Sequence, residues 1–363
     1  MIIVIGTGII GLFSAYELVK RGLSVTLLDF NSKAMASNAS VGMLAPAIES
    51  KPMENKLLEL MINSKKIWDK LQNKKDISKF LELKKNSSLL ISMNNDDHER
   101  IIFKKKFFEK LNFESKLLSP DETLKLEPSL NSNIYSSLLC RDQNQVNPKL
   151  LMKFLINEIK KKKGKIIKVN FIKKITFSNG LLAIEKQNFK AGKVVICCGA
   201  WSGKLIQNSF GKKFPLRPLK GISMLLKSKN IYFNNNLWFR NIYIAQRTNN
   251  ILAVGATEEE KGFESTVNLD EVYFLTKSLW ECFPNIENIE FKKFTAGLRP
   301  SMIDGYPVIG PLKSISKNIL CNFGHYRHGI LLSPISSKIL ADYVCNNDVE
   351  KKYKFFSPER FNL

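Results

Sequence analysis

The first thirty residues constrain the fold more than any other stretch of the chain. Met1 to Ile5 is a short apolar, β-branched run that leads directly into Gly6-Thr-Gly8-Ile-Ile-Gly11. Such a run suits a strand buried on both faces. Residues 9–21 place Ile10, Phe13, Ser14, Glu17 and Leu18 at helical spacing, and Gly22 is placed to end that helix. Ser24 to Asp29 then reads as a second strand that finishes in a carboxylate. Strand, glycine turn, helix, strand and terminal carboxylate form the order of a dinucleotide-binding unit. Gly6 permits the tight turn, Gly8 lets the backbone approach a pyrophosphate, and Gly11 lets the helix lie close to the strand. Asp29 can accept hydrogen bonds from a ribose. The unit by itself does not separate FAD from NAD.

The bulk of the chain is consistent with a folded protein built around that unit. Its 363 residues suffice for one large or two modest domains with a substantial core. Six cysteines without a CxxC pair predict reduced, buried thiols rather than a disulfide framework. The three histidines, His98, His325 and His328, show no zinc or iron spacing, so no metal is predicted. The formal charge is +23, and its lysines cluster at 104–106, at 160–163 and at Lys351, Lys352 and Lys354. Phe107 and Tyr353 lie beside two of these clusters, but neither forms a base-stacking motif. The charge is read as a solvated surface, with no specific nucleic-acid partner. No apolar stretch reaches the roughly 18 to 20 residues that span a bilayer, and no basic leader precedes the glycine motif, so a cytoplasmic protein is predicted.

Further blocks carry a family resemblance. Ala36 to Pro46 is a small-residue segment that includes Ser37, Asn38, Val41, Gly42 and Met43. Val194 to Ser202 is an apolar run that turns at Gly199 and Trp201. Phe294 to Pro300 is followed closely by Asp304 to Gly310, and Gly324 to Pro334 closes the series. In this order the blocks resemble the glycine oxidases of the D-amino-acid oxidase superfamily, with a slight departure at Asn38 and Ser40, where small Ala or Ser residues are commoner.

The resemblance implies an α/β fold: a discontinuous Rossmann-like FAD-binding domain plus an antiparallel-sheet substrate domain, D-amino-acid oxidase-like. The first is expected over 1–82, 148–213 and 297–363, the second over 83–147 and 214–296. Asn147 and Pro148 are placed to start a helix over 149–163 that re-enters the first. FAD is expected to be non-covalent, because no cysteine stands near Leu298 to Pro300. The residues implied to hold it are Gly6, Gly8, Ile9, Ile10, Gly11, Asp29, Phe30, Ser37, Asn38, Val41, Gly42, Met43, Gly199 and Trp201. To these the resemblance adds His325, Tyr326, Arg327, His328, Gly329, Ile330 and Leu331.

For catalysis the resemblance implies Arg299 and Tyr243 on a substrate carboxylate and Arg327 between substrate and flavin. A planar guanidinium can hold a carboxylate through two charge-assisted hydrogen bonds. It gives His325 and His328 no general-base role. The implied reaction moves the α-hydrogen of a small amino acid or amine to flavin N5 as hydride, leaving an imine that hydrolyses to a 2-oxo acid and ammonia. Dioxygen is the implied acceptor, yielding hydrogen peroxide, and the nearest relatives of the pattern supply the thiazole of thiamin. A D-amino-acid dehydrogenase feeding a quinone, or the flavin-oxidase module of a tRNA-modifying enzyme, would use the basic surface differently. A non-enzymatic flavoprotein fits less well with Arg299, Tyr243 and Arg327 occurring together. A homo-oligomer is compatible with the sequence.

Overall fold

A computed structural model describes residues 1–30, 32 and 34–362. Its first strand, Ile2–Ile5, pairs in parallel with Val25–Asp29 on one side and Lys193–Ile196 on the other. The six-stranded sheet runs Val308–Leu312, Ser316–Phe323, Lys193–Ile196, Ile2–Ile5, Val25–Asp29, Lys165–Lys168. All its pairs are parallel except that of the edge strand Val308–Leu312.

The apolar run of the first strand is fully used, because both faces of the sheet are covered. Ile2 and Val4 pack toward a layer of helices, Ile9–Lys20, Asn55–Gln72, Pro148–Lys161 and Gly329–Val344. Ile3 and Ile5 pack on the other face toward the helix Ser202–Phe210 and a three-stranded meander of Thr176–Ser178, Leu181–Ile184 and Gln187–Lys190. The helix expected over 149–163 is Pro148–Lys161, and Asn147 caps it by accepting from the amides of Lys149 and Leu150.

The second sheet has eight strands, in the order Glu290–Met302, Leu216–Lys227, Ile251–Gly255, Ile242–Gln246, Asn236–Phe239, Ser88–Ser92, Ser136–Cys140, Ser115–Leu118. Leu275 and Leu279 of the helix Leu269–Cys282 pack on one face against Ile222, Leu237 and Val254. Ile101 and Phe108 of the helix Asn95–Lys110 pack on the other against Leu90, Leu138 and Trp238. One pairing departs from the expected antiparallel order, because Asn236–Phe239 runs parallel to Ser88–Ser92. A parallel pair needs a long crossover. Here the crossover is the chain between the two strands, which contributes Lys165–Lys168 and Lys193–Ile196 to the first sheet on the way.

The long strand Glu290–Met302 brings the two sheets together. It pairs with Leu216–Lys227 in the second sheet, while Leu298 bridges to Met35 and Ser301 to His325 beside the first. Gly297 sits where a Cβ would stand 2.8 Å from that of Ala39, so the small-residue segment lies directly on this strand. Among the described residues no helix is long and apolar enough to cross a membrane.

Candidate active site

A cavity of about 1030 Å³ opens at the carboxyl ends of Ile2–Ile5, Val25–Asp29 and Lys193–Ile196, the place where an open parallel sheet offers a ligand crevice. The glycine turn shapes its floor. Gly6 adopts φ 109°, and a Cβ on Gly11 would fall 1.9 Å from the Gly6 carbonyl oxygen, so the helix can approach the strand only without side chains there. Gly8 differs, since a Cβ would meet only Ser37 Oγ, at 3.5 Å, and its backbone faces the cavity. The helix Ile9–Lys20 carries no acidic residue in its first turn, which leaves the positive end of its dipole facing the cavity. Ser37 Oγ accepts from the amide of Ile9 at 3.0 Å, and Thr7 Oγ1 donates to Asp29 Oδ1 at 2.6 Å. This cradle fits the adenosine diphosphate portion of FAD: bare backbone for the diphosphate, a carboxylate for the ribose, and Phe30 and Trp201 as ring walls 6.4 Å apart.

The far end of the cavity is built by the second sheet. Arg299 lies against Gly221, where a Cβ would stand 2.3 Å from its Nη1 and 2.4 Å from its Nη2. Its Nη1 donates to the carbonyls of Thr257 at 2.9 Å and Lys220 at 3.5 Å. Behind them Thr257 Oγ1 reaches Glu271 Oε1 at 3.3 Å, and Glu271 pairs with Lys220 Nζ at 2.8 Å, both side chains fully buried.

A second cavity of about 1990 Å³ meets the first at Tyr243, Tyr326 and Arg327, which line both. Arg327 Nε pairs with Glu49 at 2.9 Å, and its guanidinium carbon lies 5.6 Å from the Tyr243 ring centroid. The Glu49 carboxylate drives the Arg327 pKa up further, while the Tyr326 hydroxyl, made harder to ionise by burial, donates to Glu258. Burial holds His325 near 3 and His328 near 4, so both imidazoles are neutral at ordinary pH. His325 Nε2 is occupied by Ser336 Oγ at 2.9 Å.

A family model described as FAD dependent oxidoreductase matches residues 1–343. The chain belongs to the FAD-dependent oxidoreductase family. It is 28% identical over 367 residues to a glycine oxidase of Bacillus licheniformis, covering 99% of this chain and 96% of that one. The crystal structure of glycine oxidase from Bacillus cereus superposes with a TM-score of 0.87 at 25% identity, over 98% of this chain and 96% of that one. The bifunctional protein ThiO/ThiG of Trichormus variabilis is 23% identical over 388 residues, 99% of this chain and 55% of that protein.

Within this FAD-dependent oxidoreductase, many of the residues singled out from sequence line the first cavity. They are Gly6, Gly8, Ile9, Ile10, Asp29, Phe30, Ser37, Gly199, Trp201, Tyr243, His325, Tyr326, Arg327, Gly329, Ile330 and Arg299. Seven others lie off its wall. Gly11 is taken up by the contact with Gly6, and Asn38 sits in the short turn Ala36–Asn38. Val41 packs on Ala245 and Ala253, Met43 on the cluster around Trp238, and Gly42 against Val146 and Pro148. His328 is buried beside Glu49, and the Leu331 carbonyl accepts from Ser64 and Trp68. These residues shape the loop and helix that carry the wall.

Sequence reasoning missed Thr7, Glu49, Gly221 and Thr257. Gly221 alone left a trace, as a glycine inside a strand marks a close approach. Lys104, read as part of a solvated run, instead lines the second cavity, where its Nζ donates to the Ile48 carbonyl at 2.8 Å.

Proposed function

We propose that this flavoenzyme carries out oxidative deamination of glycine or a small amino acid, giving an imine that hydrolyses to a 2-oxo acid and ammonia. One observation carries the reading: Arg299 is held by backbone carbonyls at the end of the cofactor cavity remote from the glycine cradle, close to where the second cavity enters. The likeness to the glycine oxidases supports it. Bound FAD would supply the two-electron acceptor that receives the α-hydrogen with its electron pair.

The chain's own residues hold and aim the substrate. Arg299 takes the carboxylate through its fork, assisted by the Tyr243 hydroxyl, which orients the α-carbon toward the isoalloxazine ring. Arg327, neutralised by Glu49 and packed on Tyr243, closes the junction between the cavities. The neutral, buried His325 and His328 move no proton in this scheme; they fix the turn before Gly329–Val344. Non-covalent FAD is part of the proposal. The thiols in the cavity wall, Cys197 and Cys198, are buried, and burial pushes the first up to about 12, too high for a nucleophilic thiolate. Dioxygen as acceptor, with hydrogen peroxide released, and a role in supplying the thiamin thiazole follow from the resemblance. The two sheets support the division into a cofactor domain over 1–82, 148–213 and 297–363 and a substrate domain over 83–147 and 214–296, with Glu290–Met302 crossing the boundary.

The test is Arg299→Ala. Losing charge-assisted hydrogen bonds of about 1.5 to 3 kcal/mol each lowers kcat/KM by at least ~10-fold while FAD content stays normal. Arg299→Lys restores only part of the loss, since an ammonium keeps the charge without the fork. Near-normal kcat/KM in Arg299→Ala with FAD retained moves the carboxylate site elsewhere.

A further inference from the structure

The second cavity contains a cation, Lys104, that forms no ion pair among the described residues. Lys104 projects from Asn95–Lys110, donates from Nζ to the Ile48 carbonyl at 2.8 Å, and lies 5.8 Å from the Phe108 ring centroid. Among the described residues it forms no ion pair, and the carboxylate whose field acts on it, Glu49, is already engaged with Arg327 at 2.9 Å. Arg100, one turn earlier on the same helix, lines the same cavity, as does Lys51.

Most carboxylates of this cavity are otherwise occupied. Asp97 pairs with Arg240, Glu259 with Lys261 and Glu271 with Lys220, while Glu258 accepts from Tyr326. Asp270, also in the lining, is exposed. Arg100 and Lys51, exposed as Asp270 is, line this cavity together with the half-buried Lys104.

A half-buried ammonium without an ion-pair partner costs free energy, whereas a methionine there would fill the same space without that cost. An anionic ligand removes the penalty. The cavity also opens onto Arg327 and Tyr243, at the place where the proposed carboxylate site begins. We propose that Lys104 binds a second carboxylate, at the end of the substrate remote from Arg299, so that amino acids bearing an acidic side chain or an acidic substituent on nitrogen are preferred. This rests on the amino-acid oxidase reading and narrows its substrate class. Lys104 determines specificity; it does not act on the reacting atoms.

The probes are succinate and glutarate, each compared with its own monoamide, titrated into the FAD-loaded protein while flavin absorbance is followed. Each pair has nearly the same shape and differs by one charge. The dicarboxylate is expected to perturb the flavin at about 10-fold lower concentration than the monoamide, an advantage that shrinks as salt rises. In Lys104→Met the ratio falls to about 1, and in Lys104→Arg most of it persists. Equal affinities within both wild-type pairs overturn the proposal without any variant, as does a Lys104→Met protein that holds FAD and keeps the full ratio. If monoamide and dicarboxylate both fail to perturb the flavin, the Arg299 carboxylate site fails with it. A monoamide that binds beside a dicarboxylate with no advantage removes Lys104 alone.

Discussion

Thr257 offers its carbonyl to Arg299 Nη1 at 2.9 Å, while its hydroxyl accepts from the Ile222 amide at 3.0 Å and reaches Glu271 at 3.3 Å. The arginine is therefore anchored to a buried ion pair, Lys220 with Glu271, through one residue. Removing one partner strands the other charge in the interior. Glu271→Ala is expected to cost about 3 to 5 kcal/mol of stability, read from denaturant midpoints. The double substitution Lys220→Met with Glu271→Leu recovers most of that loss, since no charge is left behind. A double variant as unstable as the single one contradicts this account of the pair.

Gly221 provides the flat surface on which the Arg299 guanidinium lies, and a Cβ there would sit 2.5 Å from its central carbon. Gly221→Ala must displace the fork. The expected result is an enzyme with normal FAD content and a kcat/KM lowered by at least ~10-fold, because a misplaced anchor misaligns the reacting hydrogen. Unchanged kinetics would show that the guanidinium does its work in another position.

How much of this was legible in the sequence depended on the range of the interactions. The turn at Gly6, Gly8 and Gly11 was readable because its constraint is local: strand, turn and helix are consecutive. Strands such as Ile242–Gln246 and Ile251–Gly255 are local apolar runs, but the parallel join of Asn236–Phe239 to Ser88–Ser92 was not legible, since pairing across so long a crossover leaves no local pattern. Arg299 was found through its motif. Thr257, which holds it, acts through its backbone carbonyl as well as its hydroxyl, and any residue has a carbonyl. Lys104 was misread because a lysine run looks solvated, whereas its neighbours one turn away on the helix, Ile101 and Phe108, are buried and leave it half-buried beside the cavity.

Acid should weaken the protein through its buried histidines. Burial holds His325 at about 3 and His328, beside Glu49, Arg327 and Lys51, at about 4, below the value of about 6.5 in the unfolded chain. Between those values the unfolded state binds more protons, so stability falls as pH drops below about 6.5. By about pH 5 each histidine accounts for about 2 kcal/mol of that fall. His325→Gln should therefore show a shallower loss between about pH 7 and about pH 5 in denaturant midpoints. A slope identical to wild type would falsify the assignment.

Acid precipitation separates tightly bound from covalently bound flavin. The yellow colour is expected to leave with the supernatant, because Cys197 and Cys198 are held as buried thiols. Colour remaining in the precipitate would require a covalent link that the proposed site does not provide.

The central claim is that the junction of the two cavities presents a small amino acid to bound FAD. It is tested most directly by mixing the purified yellow protein anaerobically with glycine, sarcosine and D-alanine in turn and recording flavin absorbance. The account predicts that at least one of them bleaches the flavin, that air restores the colour, and that Arg299→Ala bleaches at least ~10-fold more slowly at the same low substrate concentration. Protein that stays yellow with all three, and with acidic amino acids besides, contradicts it.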